Sequence, residues 1–532
     1  MRTKLGIVGI FGAVLLASAC SGGEGDADGG TGGSATSGGA GNTDGSGATT
    51  ATGAAPSSGG SNDGSGGNNQ AGTAGEGGDG GSGTEPDAPP GCDEPIWDPG
   101  DFSEVYEVGP GQDFETPSDV PWESIGPGTL VRIHRRDTPY ADKWAVAVAA
   151  TENEPVVVLG VPEDGLLPEI TGVDAVTRPE LDYWSDTRGI IKIGGSSVPN
   201  LENAQHIFIE CLDISGARDT NTFTDDAGSA QTYDANASTI YVENGAHVTL
   251  RNNAFHDSGN GLFVANQSSD VTVSGNHIWD NGNPDSIYEH NSYTEAQGIT
   301  FEFNHYGDLC SGCPGNNLKD RSSGLVIRYN VIEGGNRALD LVDSDYESIR
   351  GAPDYDDTFA YGNVLIEKEE GNRQIVHYGG DGDEANFRTG TLYFHHNTVV
   401  SERSDLAVLV RLSSADTHFA GYDNVLFSTS GTMAILEDAG TAVLEGNWLP
   451  ADIEEGSPSL SGAIFLGENT LGDDPGFVDA AAGDYSLLPD SEAKGIAVDL
   501  PQETASHPAI WEPNSDGAPT ARSAMTSAGA YE

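Results

Sequence analysis

Residues 285–345 hold most of the side chains in this chain that could move a proton or hold an anion. His290, Tyr293, Glu295, His305, Lys319, Arg321, Arg337, Asp340 and Asp343 fall in that stretch, and His377 and Arg411 follow it. Lys319 is one of only five lysines in residues 92–532. Removing a proton beside a carboxylate needs a base, plus a cation that neutralises the carboxylate. Lys319 can be the base if Arg321, Arg328 or Arg337 lowers its pKa. Arg321 or Arg337 suits the second task, because a guanidinium fork matches a carboxylate. Tyr293 could then protonate a leaving oxygen, with His290, His305 or His377 as positioning or acid groups. Paired carboxylates are the alternative chemistry, and Asp340, Asp343 and Asp345 are close enough in sequence to suggest a pair.

The elements that must position these residues are short β-rich runs ending at Asn. They are VTLRNNAF (Asn253), VTVSGNHI (Asn276), ITFEFNHY (Asn304), LVIRYNVI (Asn330), TFAYGNVL (Asn363), LYFHHNTV (Asn397), FAGYDNVL (Asn424) and AVLEGNWL (Asn447). The spacings of 23 to 34 residues, with period-2 apolar alternation inside each run, predict a β-solenoid. The repeated Asn suits a left-handed turn, and stacked amides can hydrogen-bond from coil to coil. A second strand precedes each Asn-ended one. If Leu318, Leu339, Leu341, Val376 and Val410 point inward, alternation sends Lys319, Asp340, His377 and Arg411 outward. Stacking at about 4.8 Å makes them one external column, with Tyr293 or Glu295 at its start and Arg337, Arg411, Glu295 and Asp343 as substrate contacts.

The Asn-ended repeats resemble the right-handed parallel β-helix of the pectate-lyase-like superfamily. The resemblance covers roughly residues 100–500 and implies an all-β fold, a single solenoid domain over 92–532. An N-terminal cap is expected at about 100–200, coils at about 200–450, and a final coil and tail beyond; 473–499 resembles the family's last coil. His290, Asn291, Tyr293, His305, Lys319, Arg321, Ser322, Asn330 and Asp340 resemble a pattern in secreted bacterial β-helix proteins described only as polysaccharide-degrading or lyase-like. The Lys…Arg order is similar to β-helix alginate and chondroitin lyases. Their Arg-His pair is replaced here by Leu341-Val342-Asp343. Of the signatures of β-helix polygalacturonases, NTD occurs only at 42–44, and GHG and RIK do not occur. The resemblance implies a polysaccharide lyase acting on a uronate-containing glycan, with a glycoside hydrolase or a non-catalytic adhesin as alternatives.

Residues 1–20 resemble a bacterial lipoprotein signal, with Cys20 as the acylated residue and anchoring at the outer membrane or cell surface as the consequence. Otherwise the chain would be secreted. Residues 21–91 contain 26 Gly, nine acids and no base, and are expected to be a disordered tether. As a Gly/Ser coil its reach is roughly 45–50 Å. No second apolar run approaches the length of a membrane span. The net charge of −60 excludes nucleic acid as a natural partner, and a monomer is expected. Residues 92–532 keep 74 acids against 21 bases, a net −53, so the solenoid itself is acidic. The acidic runs 353–357 and 381–384 offer hard oxygens of the kind Ca²⁺ takes, with no ligand set assigned. Cys310 and Cys313 lie three apart in an exported chain and are expected to form a local disulfide. A Cys92–Cys211 pair is a further possibility.

Overall fold

One coil shows how the sequence builds the fold. Leu318–Asp320 forms a first short strand, Ser323–Arg328 a second and Val331–Glu333 a third. In the second strand Leu325 and Ile327 are fully buried, while Val326 and Arg328 face outward. That is the period-2 pleat expected when one face meets a core. The next coil repeats the pattern in parallel register: Leu318 pairs with Leu339, Val326 with Phe359 and Val331 with Val364. Stacked in this way, the coils form three parallel sheets around one apolar core. The first two sheets run together through the long strands Asn260–Ser274 and Ser292–Glu302, and the third has eleven strands.

The computed structural model describes residues 91–92, 96–513 and 520–532. The chain divides into two units, Met1–Ser82 and Gly83–Glu532. The first unit, and with it the signal segment, Cys20 and most of the tether, lies outside the described residues. Among the described residues no helix is long and apolar enough to cross a membrane.

The Asn positions form a ladder. Each side-chain Nδ2 donates to the Oδ1 of the next, from Asn253 to Asn276 at 3.1 Å through to Asn447 and Asn469 at 2.9 Å. Asn469 is a rung not anticipated from sequence. The left-handed turn is not made by the Asn. It falls one residue earlier, at Asn252, Gly275, Phe303, Tyr329, Gly362, His396, Asp423 and Gly446. The Asn is therefore explained by its amide alone, which satisfies backbone groups that the turn leaves buried.

Parallel pairing begins before residue 200, with Glu104–Val108 against Thr129–His134 and then Val156–Val161. The stretch 473–499 is not a last coil. Phe477–Asp479 and Asp484–Leu487 pair antiparallel, and Phe477, Tyr485 and Leu487 pack on Val331, Val364 and Val400 of the third sheet's outer side. Farther on, His507 stacks on Phe359 at 3.8 Å and Trp511 packs beside Tyr329 and Tyr361, covering part of the second sheet. Tyr361 and His395 are fully buried there, as cross-coil packing requires. Disulfides join Cys92 to Cys211 and Cys310 to Cys313.

Candidate functional site

The outward column exists. Successive registers place Phe263, Tyr293, Lys319, Asp340, His377, Arg411 and Glu437 side by side along the first sheet. Their strand neighbours Leu318, Leu339, Leu341, Val376 and Val410 are buried in the core, so alternation fixes the column's direction. The column is not open to solvent along its length, because loops fold over it. Asp340 and His377 are each 2% exposed and Lys319 7%. Arg388, wholly buried, holds those loops by donating to the carbonyls of Val342 (2.9 Å), Tyr355 (2.7 Å) and Ser322 (2.6 Å).

Lys319 Nζ lies 2.7 Å from Asp340 Oδ2 and 2.6 Å from Asp381 Oδ2. Arg321 Nη2 meets both oxygens of Asp381, at 2.8 and 3.1 Å, and its Nε donates to Tyr293 Oη at 2.9 Å. Arg321 Nη1 donates to the Asp343 carbonyl. Asp343 Oδ1 in turn accepts from the backbone N–H groups of Asp381 (2.8 Å) and Gly382 (3.2 Å). Asp340 Oδ2 also accepts from Asn316 Nδ2 at 2.8 Å. Asp340 Oδ1 meets His377 Nδ1 at 2.8 Å, with Arg337 at 3.7 Å. His377 Nε2 lies 2.8 Å from Ser413 Oγ.

These contacts set the charges. Burial disfavours the Lys319 ammonium, but the Asp340 and Asp381 carboxylates outweigh it and hold its pKa above the ordinary value. The lowered pKa needed for a lysine base is therefore absent, because carboxylates rather than guanidiniums lie against Nζ. Burial also opposes the Asp340 and Asp381 charges; Lys319 and its cationic neighbours prevail and hold both below the usual carboxylate range. Burial pushes the Tyr293 phenol up, against the pull of Arg321 and Lys319. Burial takes His290 down to about 3, and Lys319 adds to the effect. Burial lowers His377 as well, with Asp340 opposing. Glu295 receives the Ser344 hydroxyl, yet burial lifts it to about 7.

His290 sits beside Tyr293, ring centroids 5.7 Å apart, and its Nδ1 accepts the Asn316 N–H at 2.9 Å. Arg411 occupies the next register position and pairs with Asp438 at 2.6 Å. His305 does not join the group. The Asn304 turn puts it on the third sheet, against Glu333 at 2.9 Å and stacked on His277 at 4.8 Å. Arg328 is on the second sheet with Glu302 and Tyr361. Among the described residues no group of three or more His, Cys, Asp or Glu is arranged to hold a metal ion. The acidic run at 381–384 gives Asp381 to Lys319 and Arg321, and Asp383 to the Ala385 N–H, so its donor set does not fit Ca²⁺. Asp381, Ser413, Asn316 and Arg388 are site residues that sequence reasoning did not assign. Only Ser413 carried a usable signal, two positions beyond Arg411 at the end of the same strand.

The fold defined by these coils is a right-handed parallel β-helix. A family model described as right handed beta helix region matches residues 188–351. No curated protein matches the chain. Among solved structures, the chain is similar to an alginate lyase from Paenibacillus sp. str. FPU-7, at 13% identity over 69% of this chain and 99% of that one, with a TM-score of 0.39. It is similar to the GH136 lacto-N-biosidase from Eubacterium ramulus at 12% identity, over 70% and 68% of the two chains, with a TM-score of 0.40. A third is the Streptococcus pneumoniae surface protein and adhesin PfbA, at 11% identity over 65% and 89%, also with a TM-score of 0.40. At these identities the likeness is one of fold alone.

Proposed function

We propose that this chain is a polysaccharide lyase that cleaves a uronate-containing glycan by β-elimination. The observation that carries the reading is that Lys319 and Arg321 already hold a carboxylate between them, that of Asp381. A uronate carboxylate entering that place would meet one ammonium and one guanidinium fork, the pairing that lowers the cost of removing the adjacent C5 proton. Tyr293 shares the same guanidinium through its Oη, so the phenol and the bound carboxylate are neighbours. As phenolate, Tyr293 takes the C5 proton and returns it to O4. The C4–O4 bond breaks as the C4=C5 double bond forms. Lys319 keeps its charge throughout and serves as neutraliser rather than base. Asp343, through its hydrogen bonds to the Asp381 turn, and His290, beside Tyr293, position the pair.

One observation favours a glycoside hydrolase on the same site. Glu295 is lifted to about 7 while Asp340 and Asp381 are held low, and carboxyl groups pushed apart in this way suit acid and base roles. A panel of polyuronates and neutral glycans, incubated with the purified protein, separates these readings. A rise in the ultraviolet absorbance of unsaturated uronate supports the lyase. New reducing ends without that absorbance would mean hydrolysis, and binding with neither would mean an adhesin. Anchoring through an acylated Cys20 is part of the same proposal. Mass spectrometry of the mature N-terminus tests it.

A further inference from the structure

We propose that Asp340, His377 and Ser413 form a nucleophilic relay that hydrolyses small acyl esters, with Ser413 Oγ as the attacking atom. The three residues lie on neighbouring coils and meet in a line. Asp340 Oδ1 is 2.8 Å from His377 Nδ1, and His377 Nε2 is 2.8 Å from Ser413 Oγ. That is the order of orienting carboxylate, base and hydroxyl that activates a serine.

The protonation pattern follows from the partners. Asp340 accepts from Lys319 and Asn316, so it is a carboxylate and His377 Nδ1 carries the proton facing it. Burial disfavours a second proton on the ring, which leaves the Nε2 lone pair directed at Ser413. Ser413 Oγ accepts the Gly380 N–H at 3.1 Å, and the Gly380 carbonyl lies 2.8 Å away. The single hydroxyl proton thus has two acceptors, Nε2 and that carbonyl. The imidazole and the carboxylate are buried, while Ser413 is half-buried just beyond the end of strand Leu406–Leu412. The neighbouring backbone is glycine for a steric reason. A Cβ on Gly379 would stand 2.9 Å from Ser413 Cβ and 3.1 Å from its Oγ.

The chemistry balances without a co-reactant other than water. Ser413 Oγ adds to the ester carbonyl as its proton passes to His377 Nε2. The alcohol then leaves with that proton, and an acyl-serine remains. Water attacks the acyl-serine, His377 takes its proton, and the carboxylic acid departs as Ser413 recovers its hydrogen. Arg411, next to His377 in the column and two residues before Ser413, is the nearest cation on the same strand, its Nε engaged by Asp438. That the alcohol is a sugar rests on the glycan reading above; the relay itself does not.

The test uses the purified full chain with p-nitrophenyl acetate, which carries no uronate, and separately with a de-esterified polyuronate. The relay predicts release of p-nitrophenolate, an acetyl group trapped on the Ser413 peptide, and labelling of that peptide by a fluorophosphonate. Ser413→Ala should lower turnover at least ~100-fold. Ser413→Cys should retain acyl transfer. Asp340 acts as a positioning residue, and Asp340→Asn should both slow the reaction and move its acid limb to lower pH. Full turnover in Ser413→Ala, or an acyl or phosphonate label found elsewhere with none on Ser413, overturns the proposal. The label on the wild-type chain decides the matter even if a variant fails to fold. Ester hydrolysis without polyuronate cleavage overturns the lyase reading alone, and cleavage without any Ser413 label overturns the relay alone.

Discussion

Replacing Asp381 by Asn tests whether this carboxylate stands where a substrate carboxylate must go. Asp381 makes three charged contacts, one to Lys319 at 2.6 Å and two to Arg321 at 2.8 and 3.1 Å. Its side chain is 33% exposed, against 9% for Lys319 and 15% for Arg321. A fully buried charge-assisted hydrogen bond contributes about 1.5–3 kcal/mol. Solvent screening at the exposed end brings each pair nearer the surface value, about 0.5–1 kcal/mol. Two cations then give about 1–2 kcal/mol that an incoming carboxylate must displace. Since each 1.4 kcal/mol is tenfold in affinity, Asp381→Asn should lower KM for a polyuronate roughly 5- to 30-fold. It should leave kcat within about twofold, because Asp381 has already left the cations when the reaction occurs. Steady-state absorbance assays on wild type and variant measure both constants. A kcat loss of 100-fold with unchanged KM would refute the reasoning, because Asp381 would then take part in the chemistry, as a hydrolase requires.

Tyr293→Phe should lower kcat by about 10²–10⁴-fold. In the wild type, kcat/KM should rise about tenfold per pH unit through the range below the raised phenol pKa, since only the phenolate accepts the C5 proton; a flat pH–rate profile argues against Tyr293 as base. The net charge of −60 repels a polyuronate, so kcat/KM should increase as salt is added from low ionic strength; a flat response in the same series points to a neutral glycan. Asn330→Ala removes donors to the Phe301 and Arg328 carbonyls, both at 3.0 Å, and breaks the ladder to Asn304 and Asn363. With several buried groups left unpaired it should cost about 3–5 kcal/mol, read as a shift of the denaturant midpoint.

The parts of the molecule legible in the sequence are those written with a period. Apolar alternation placed Leu318, Leu339 and Val376 inside, and so brought Lys319, Asp340 and His377 into one column, because a strand has only two faces. The Asn ladder was legible for the same reason. Residues outside the strands were not. Asp381 reaches Lys319 and Arg321 across 62 and 60 positions of sequence from a glycine turn, and nothing periodic connects them. His305 was misread because its strand is only two residues long and follows the Asn turn, which rotates it to another face. The expectation of a lowered Lys319 pKa failed on similar grounds: Arg321 is two positions away in sequence, but the groups that meet Nζ in space are the carboxylates of Asp340 and Asp381. The 473–499 hairpin contains the apolar spacing of a coil, but turns at Gly483 and packs on the outside.

The Asn ladder has a direction. Between its ends, each Oδ1 accepts from the coil before it, through both the backbone and the side-chain N–H of the preceding Asn, and each Nδ2 gives one of its hydrogens to the Oδ1 of the coil after it. Nothing within the row tells it where to end: Asn253 closes on the Leu212 N–H, and Asn469 on the Leu444 and Gly467 carbonyls. The number of turns is therefore free to change by whole units, since an inserted coil that brings its own Asn extends the row without disturbing its neighbours. Evolution can lengthen or shorten the rod on either side of the Lys319 column, altering how much polymer it lies against, while the column keeps its spacing.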